Sequence, residues 1–402
     1  MSNQFIPALQ KTKNLFELYQ YSCGISEVPG IYNFWAFLSG MASILEDRVW
    51  FEKVRGEKLY PNLYVILVGP GGLGKGTAIS RAVRTVKKSV KMPIYRGKVT
   101  AAHLTDVLGK IEKDEYGRDL IANPRLWLIM DELKNDIGSN KMMAEDFVAL
   151  MTEIYTASNY IINTGTRTNG SVDIENPVIN WLAGSTEVWL RMVLTADLID
   201  SGFTARTCFV FAEHDFSKRC PRIIYPADYE EVEQHIQLRL WMLQNMRGEI
   251  KMTQLAIMEE DKWYRTRPNP EDEAMYSIWK RHHDMLLKFA MLCAISDGDG
   301  MVIDVKHINM ALSLVKMTEQ FAGRLIEVAH ENQWTKPSNI IVEMIKKKGS
   351  VKHSDALRYV RSRKGMTAKA FGIAAMSLVQ EKLIATDRTD TGGLIYRWIG
   401  GE

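Results

Sequence analysis

Long apolar runs are missing from this chain of 402 residues. Its most apolar-looking stretch, IYNFWAFLSGMASIL at 31–45, falls short of the roughly 20 residues a membrane span needs and carries Asn33, Ser39 and Ser43. It reads as a buried helix, so no membrane association is expected. Cysteine is scarce. Cys23, Cys208, Cys220 and Cys293 include no C-x-x-C pair, which fits reduced thiols in a cytosolic protein rather than a disulfide framework. No basic-plus-apolar leader opens the chain. Net charge is only +3, so the whole chain is not an obvious polyanion binder. Internal repeats and low-complexity tracts are lacking too, which removes repeat architectures.

What is present suits a globular protein with a sizeable core: 46% hydrophobic and 25% charged residues. Single cores stop growing at roughly 250–300 residues, so two or three domains are expected. Charge is unevenly spread. Residues 336–402 hold 13 lysines and arginines against 6 acids, a net +7, which leaves −4 on the other 335 residues. A basic tail on a mildly acidic body fits nucleic-acid engagement or a solvated cationic face.

Periodicity divides the chain further. Residues 1–50 read as a helical segment. Continuous apolar runs at 63–69, 126–132, 177–186 and 204–213 read as buried strands separated by helical patterns, which implies right-handed crossovers and a mainly parallel sheet. The α/β core is placed at 51–227 and a helical region at 228–335. Thr335–Asn339 opens a last unit at 336–402, with Ser338 as helix cap, helices at 340–348, 354–363 and 367–382, and two short strands around DTGG at 390–393. Three helices and a small hairpin are the layout of a winged helix-turn-helix.

One stretch carries specific chemistry. Gly69-Pro70-Gly71-Gly72-Leu73-Gly74-Lys75-Gly76-Thr77 follows a buried strand and opens a helix. Glycines let backbone N–H groups turn inward, the helix N-terminus adds a positive dipole end, and Lys75 supplies a mobile cation for β- and γ-phosphates. The pattern predicts a P-loop that binds ATP with Mg²⁺, rather than a glycine-rich turn with no ligand. It departs from the usual order in one respect: Gly76 stands where a hydroxyl residue holds Mg²⁺, and Thr77 comes one position later. Thr77 fits either the metal or a phosphate oxygen.

Asp131 and Glu132 end the second buried strand, at the sheet edge where ligands bind. Asp131 then faces Mg²⁺ through water, and Glu132 activates a water for attack on the γ-phosphate. A carboxylate pair also suits an ordinary helix start. The third strand ends in Ser185 and Thr186, whose hydroxyls suit γ-phosphate sensing or helix capping. Asn169-Gly170 marks a hairpin with Arg167 near its tip. Arg206 begins the fourth strand, as a structural ion-pair partner or as an arginine finger for a neighbouring subunit's ATP.

The order of these features resembles the AAA+-type helicase domains of phage and mobile-element primase–helicase proteins, and more distantly superfamily-three viral helicases and MCM helicases. The resemblance spans about 15–325 and is strongest at 60–215. It implies an AAA+/RecA-like P-loop NTPase sheet with flanking helices, a helical lid and a C-terminal winged helix. It further implies an ATP-hydrolysing ring, a hexamer, moving on single-stranded or forked DNA in the bacterial host cytoplasm. Lys75 and Thr77 match the phosphate-loop positions, Asp131 and Glu132 the metal and base positions. Ser185 or Thr186 matches the first sensor and Arg206 the arginine finger. The hairpin at 163–174 then lines the pore, with Arg167 contacting DNA. The region 273–330 matches the lid, with Arg281 or Lys288 as second sensor. No primase module fits in the 50 residues before the core, so a primase or initiator is expected as a separate partner. In the C-terminal unit Lys369, Arg388 and Arg397 are DNA-contact candidates, although the third helix is largely apolar and suits backbone or protein binding equally.

Two other functions fit parts of the sequence. The Gly-Lys-Gly-Thr order is that of nucleotide kinases, which need no Asp-Glu pair. A DNA-binding initiator switched by ATP would use the same loop without relying on hydrolysis.

Overall fold

The computed structural model describes residues 14–109, 124–137, 141–156, 161–166, 170–193, 202–215, 219–270, 275–298, 300–364, 367–380, 382–388 and 393–399. The chain divides into two compact units at Gly323/Arg324.

The first unit is organised by five parallel strands: β1 (Tyr64–Val68), β2 (Ile94–Arg96), β3 (Arg125–Met130), β4 (Val178–Ser185) and β5 (Thr207–Phe211). Their spatial order is β2-β3-β4-β1-β5. Alternate residues of a strand point to opposite faces, and here both faces are covered. Every residue of β1, β4 and β5 is buried, which is why these strands read as continuous apolar runs rather than alternating ones.

On one face, Val65, Leu67, Trp127, Ile129 and Leu182 share a core with α1 (Leu15–Ser22), α2 (Gly30–Leu45) and α3 (Lys75–Ser89). Asn14 starts α1 by accepting from the N–H groups of Phe16 and Glu17. Helix α2 is the apolar stretch at 31–45, and Trp35 within it meets Phe289 edge-to-face at 5.5 Å. On the other face Trp181 is ringed by Tyr64, Phe147 and Phe203. No helix among the described residues is long and apolar enough to cross a membrane.

Beyond the sheet the unit turns helical, with α4 (Tyr229–Asn245), α5 (Gln254–Thr266) and α6 (Tyr276–Asp297). The next helix, α7 (Val305–Lys348), corrects an expectation. It runs without a break through 335–339, so no helix starts at Ser338. A proline costs a helix one hydrogen bond and about 3 kcal/mol, a local penalty that a helix of 44 residues tolerates.

The second unit packs α8 (His353–Lys364) and α9 (Ala368–Gln380) on a three-stranded antiparallel sheet of Ser350–Lys352, Leu394–Trp398 and Ile384–Arg388. Ile345, Val360, Phe371, Leu378 and Tyr396 form its core.

Candidate functional site

Strand register decides which residues meet. Val68 pairs with Ser185 on one side and Phe211 on the other, and Met130 pairs with Ala183. Strand β4 therefore lies between the strand that enters the glycine loop and the strand that ends in the acidic pair. Gly69–Thr77, Asp131, Glu132, Ser185 and Thr186 all fall at the C-terminal edge of one parallel sheet. The close approach needs Gly184. A Cβ there would sit 2.5 Å from the Asp131 carbonyl oxygen.

The loop is built for a ligand with many acceptors. Gly72 and Gly74 adopt φ of 81° and 86°, a region that side-chain-bearing residues avoid. Lys75 is buried, and its Nζ donates to the carbonyl oxygens of Gly69 at 2.7 Å and Pro70 at 2.8 Å. Burial lowers the lysine's pKa, opposed by the nearby Glu132 carboxylate. A phosphate is a stronger partner for this cation than two neutral carbonyls. The first turn of α3 adds exposed Gly76 and Thr77. A Cβ at Gly76 would meet nothing within 4 Å, so packing does not explain the departure from a hydroxyl residue there.

Neighbours from the N-terminal segment brace the loop, and sequence reasoning missed them. Tyr32 Oη donates to the Val68 carbonyl at 2.6 Å and would lie 2.4 Å from a Cβ on Gly69. Val28 would meet a Cβ on Gly74 at 2.9 Å. Only their separation in sequence hid them.

The acidic pair separates into two roles. Asp131 is clasped by Arg96 at the end of β2, with Nε at 2.7 Å from one oxygen and Nη2 at 2.8 Å from the other. Arg96 Nη2 also donates to Ser80 Oγ at 2.8 Å. Glu132 is held differently. Its backbone N–H donates to Asp136 Oδ2 at 3.3 Å at the start of the short helix Leu133–Asp136, and its own side chain makes no capping bond. The helix-start reading of this carboxylate thus does not account for its side chain. Burial raises the Glu132 pKa, with Lys75 opposing, which moves a candidate base toward neutral pH.

The hydroxyls also differ. Ser185 is fully buried at the strand end, and its carbonyl accepts from Gly69 N–H at 3.2 Å. Thr186 Oγ1 accepts from Trp189 N–H at 3.3 Å, so it caps the helix Glu187–Val193. Among the described residues no cluster of three or more His, Cys, Asp or Glu side chains converges. A magnesium ion held chiefly by nucleotide phosphates and water needs only one or two protein oxygens, and Thr77 and Asp131 are hard oxygen donors of that kind. They fit the ion, with the condition that the Arg96–Asp131 pair yields.

That condition gives a measurable result. Arg96→Ala is expected to lower the Mg²⁺ concentration needed for half-maximal tightening of ATP binding by about two- to five-fold, the scale of an exposed ion pair. A fluorescent ATP analogue titrated with Mg²⁺ checks this; an unchanged midpoint refutes it.

Arg206 stands at the opposite edge. It does not begin the strand, as expected, but closes a 3₁₀ turn, Thr204–Arg206, ahead of β5. The tight turn forms because Arg206 N–H donates to the Phe203 carbonyl at 3.1 Å. Its Nη1 donates to the Gly202 carbonyl at 2.8 Å. Burial and then Arg281 lower its pKa. Thr207 pairs with Tyr64, the first residue of β1. A five-residue strand, roughly 17 Å, thus separates Arg206 from this chain's own loop.

Lys288 lies at that same edge. It is 2% exposed, donates to the Asn62 carbonyl at 2.9 Å and to Asn62 Oδ1 at 2.7 Å, and sits 4.0 Å from the Tyr155 ring centroid. Arg281 ion-pairs with Asp284 at 3.7 Å. Neither is brought to this chain's glycine loop. Burial pulls Lys288 down to about 7, with Asp284 opposing. In the unfolded chain it titrates near 10.5. The unfolded state therefore holds one more proton between those values, and stability rises with pH above about 7. The unfolding midpoint is expected to climb from about pH 7 to about pH 8.5, below ordinary thiol titration, and Lys288→Met is expected to flatten the climb. Parallel thermal scans check it.

The hairpin forms as two antiparallel strands, Ile161–Thr166 and Gly170–Glu175. Arg167 and Asn169 lie outside the described residues. In the second unit Lys369 lies on α9. Arg397 ion-pairs with Asp387 across the strand pair at 3.2 Å, and Arg388 is exposed on the neighbouring strand.

No protein-family model matches the chain, and no curated protein does. Among solved structures the chain is similar to a full-length MCM homolog from Methanopyrus kandleri, at 16% identity and a TM-score of 0.43, over 80% of this chain and 63% of that one. The chain thus spans less than two thirds of the length of that structure.

Proposed function

We propose that this protein is a ring-forming ATPase that moves on single-stranded DNA in phage or mobile-element replication. The strand register supports the reading best. It gathers a glycine loop with its lysine, an uncapped carboxylate and a buried hydroxyl at one sheet edge, and leaves a half-buried arginine at the other. Lys75 binds the β- and γ-phosphates, Glu132 takes the proton of the attacking water, and Ser185 or Thr186 at the end of β4 senses the γ-phosphate. Mg²⁺, held through Thr77 and Asp131, neutralises phosphate charge when bound. Arg206 completes the neighbouring subunit's site within a hexamer. The hairpin at 163–174, with Arg167 at its tip, grips the strand in the pore, while the C-terminal unit offers Lys369, Arg388 and Arg397 to DNA backbone. Contacts to phosphates make affinity fall with salt and depend little on sequence.

Strand displacement on forked DNA by wild type, Lys75→Ala and Arg206→Ala tests the reading. Wild type unwinds and both variants fail. Equal unwinding by all three, or no ATP turnover by wild type with or without DNA, refutes it.

A further inference from the structure

The helical region at 254–320 holds a cavity of about 320 Å³ between α5, α6 and the 312–319 stretch of α7. One side is a preformed stack. The Arg267 guanidinium carbon lies 3.8 Å from the Trp279 ring centroid, 4.4 Å from that of Tyr264 and 5.1 Å from that of Trp263. Both members of the central pair are pinned. Arg267 Nη1 donates to the Trp279 carbonyl at 3.0 Å, and Trp279 Nε1 donates to the Pro268 carbonyl at 2.8 Å. The cation is thus held among three rings, and the pinned Trp263 and Trp279 indoles line the cavity, ready to stack without further loss of side-chain entropy.

Polar groups converge on the same space. His282 lines the cavity at 5% exposure, and its Nε2 is buried with no hydrogen-bond partner among the described residues. The Nε of Arg267 is buried and unpartnered in the same way. Buried polar atoms left without a partner destabilise the fold, so a ligand that pairs them is favoured. Burial, and then the Arg267 charge, bring His282 down to about 4, so at neutral pH it is an uncharged imidazole. Leu312 and Val315 form an apolar floor, and Lys316 and Glu319 stand at the exposed rim.

We propose that this cavity takes a nucleobase, stacked on the indoles that Arg267 holds in place, Trp263 and Trp279, with its polar edge toward His282 Nε2 and Arg267 Nε. A phosphate alone would leave the apolar floor and the stacking face unused. An aliphatic side chain would leave both buried nitrogens unpaired. A planar heterocycle with donors and acceptors on its rim satisfies both, and Lys316 is placed for an attached phosphate. The base comes either from a free nucleotide or from a single strand. The inference is independent of the glycine loop, which lies at the C-terminal sheet edge.

Photo-cross-linking of the full chain tests it, with 4-thiothymidine monophosphate in one arm and a single-stranded oligonucleotide carrying 4-thiothymine in the other. Adducts are mapped by mass spectrometry, and binding of each probe is compared with Arg267→Lys, which keeps the charge but loses the plane. Adducts within 263–282 and an affinity roughly tenfold weaker in Arg267→Lys, the scale of one lost base stack, are expected. The arm that gives them identifies the source. Absence of adducts in that segment from both probes, or equal affinity of wild type and Arg267→Lys, overturns the proposal. ATP turnover is followed in the same preparations. DNA-stimulated turnover without adducts removes the base site alone, and adducts without turnover remove the motor reading alone.

Discussion

Glu132→Gln is expected to slow ATP turnover by about 10²–10⁴-fold, the contribution of a positioned general base, while ATP binding stays close to wild type. The expectation separates Glu132 from its neighbour. Both Asp131 oxygens are engaged by Arg96, so Asp131 is poorly placed to accept a proton from water. The Glu132 side chain makes no capping bond, and burial raises its pKa. A carboxyl raised in this way loses its basic form at a higher pH than an ordinary glutamate. Wild-type turnover should therefore fall as pH drops through a raised value, and the residual rate of Glu132→Gln should lack that limb. The phosphate contacts from Lys75 and the loop survive the change, so the variant holds ATP without consuming it. Equilibrium binding of a nucleotide analogue and single-turnover hydrolysis measure the two halves separately. Unchanged hydrolysis would favour a switch that uses ATP only for assembly.

The residues that made the fold legible are those whose burial is two-sided. Strands β1, β3, β4 and β5 read as apolar runs because helices cover both faces. The three-residue β2 did not, because its half-buried Ile94 and Tyr95 make no such run. Its importance lies in a long-range contact, Arg96 to Asp131, which local periodicity cannot show. The loop's chemistry was legible because glycine freedom, a lysine and a helix start must fall in fixed order. The brace from Tyr32 was not, since a tyrosine inside an apolar helix looks like any core residue until α2 is laid against the loop. Ser185 and Thr186 were indistinguishable in the sequence. Only the Trp189 N–H bond to Thr186 assigns one of them to capping.

Lys75→Ala and Arg206→Ala are each expected to abolish ATP turnover alone, and to regain part of it when the two variants are mixed. Loss of Arg206 should cost about 10³-fold or more, the scale of an arginine finger. The geometry requires the complementation. Lys75 belongs to the C-terminal edge of the sheet, and Arg206 precedes Thr207, which pairs with Tyr64 at the other edge. No subunit can bring its own Arg206 to its own loop across a strand's length. In a mixed ring, a subunit lacking Arg206 still has an intact loop, and a neighbour lacking Lys75 still supplies an intact arginine. One interface in such a pair is therefore wild type, and the other lacks both groups. A purely structural role for Arg206, holding the 3₁₀ turn through the Gly202 carbonyl, predicts the opposite. The defect would then travel with each mutated subunit, and mixing would recover nothing. Steady-state turnover against mixing ratio, with assembly followed by light scattering, decides between them: a maximum near equal proportions supports a shared site, and a flat line near zero excludes it.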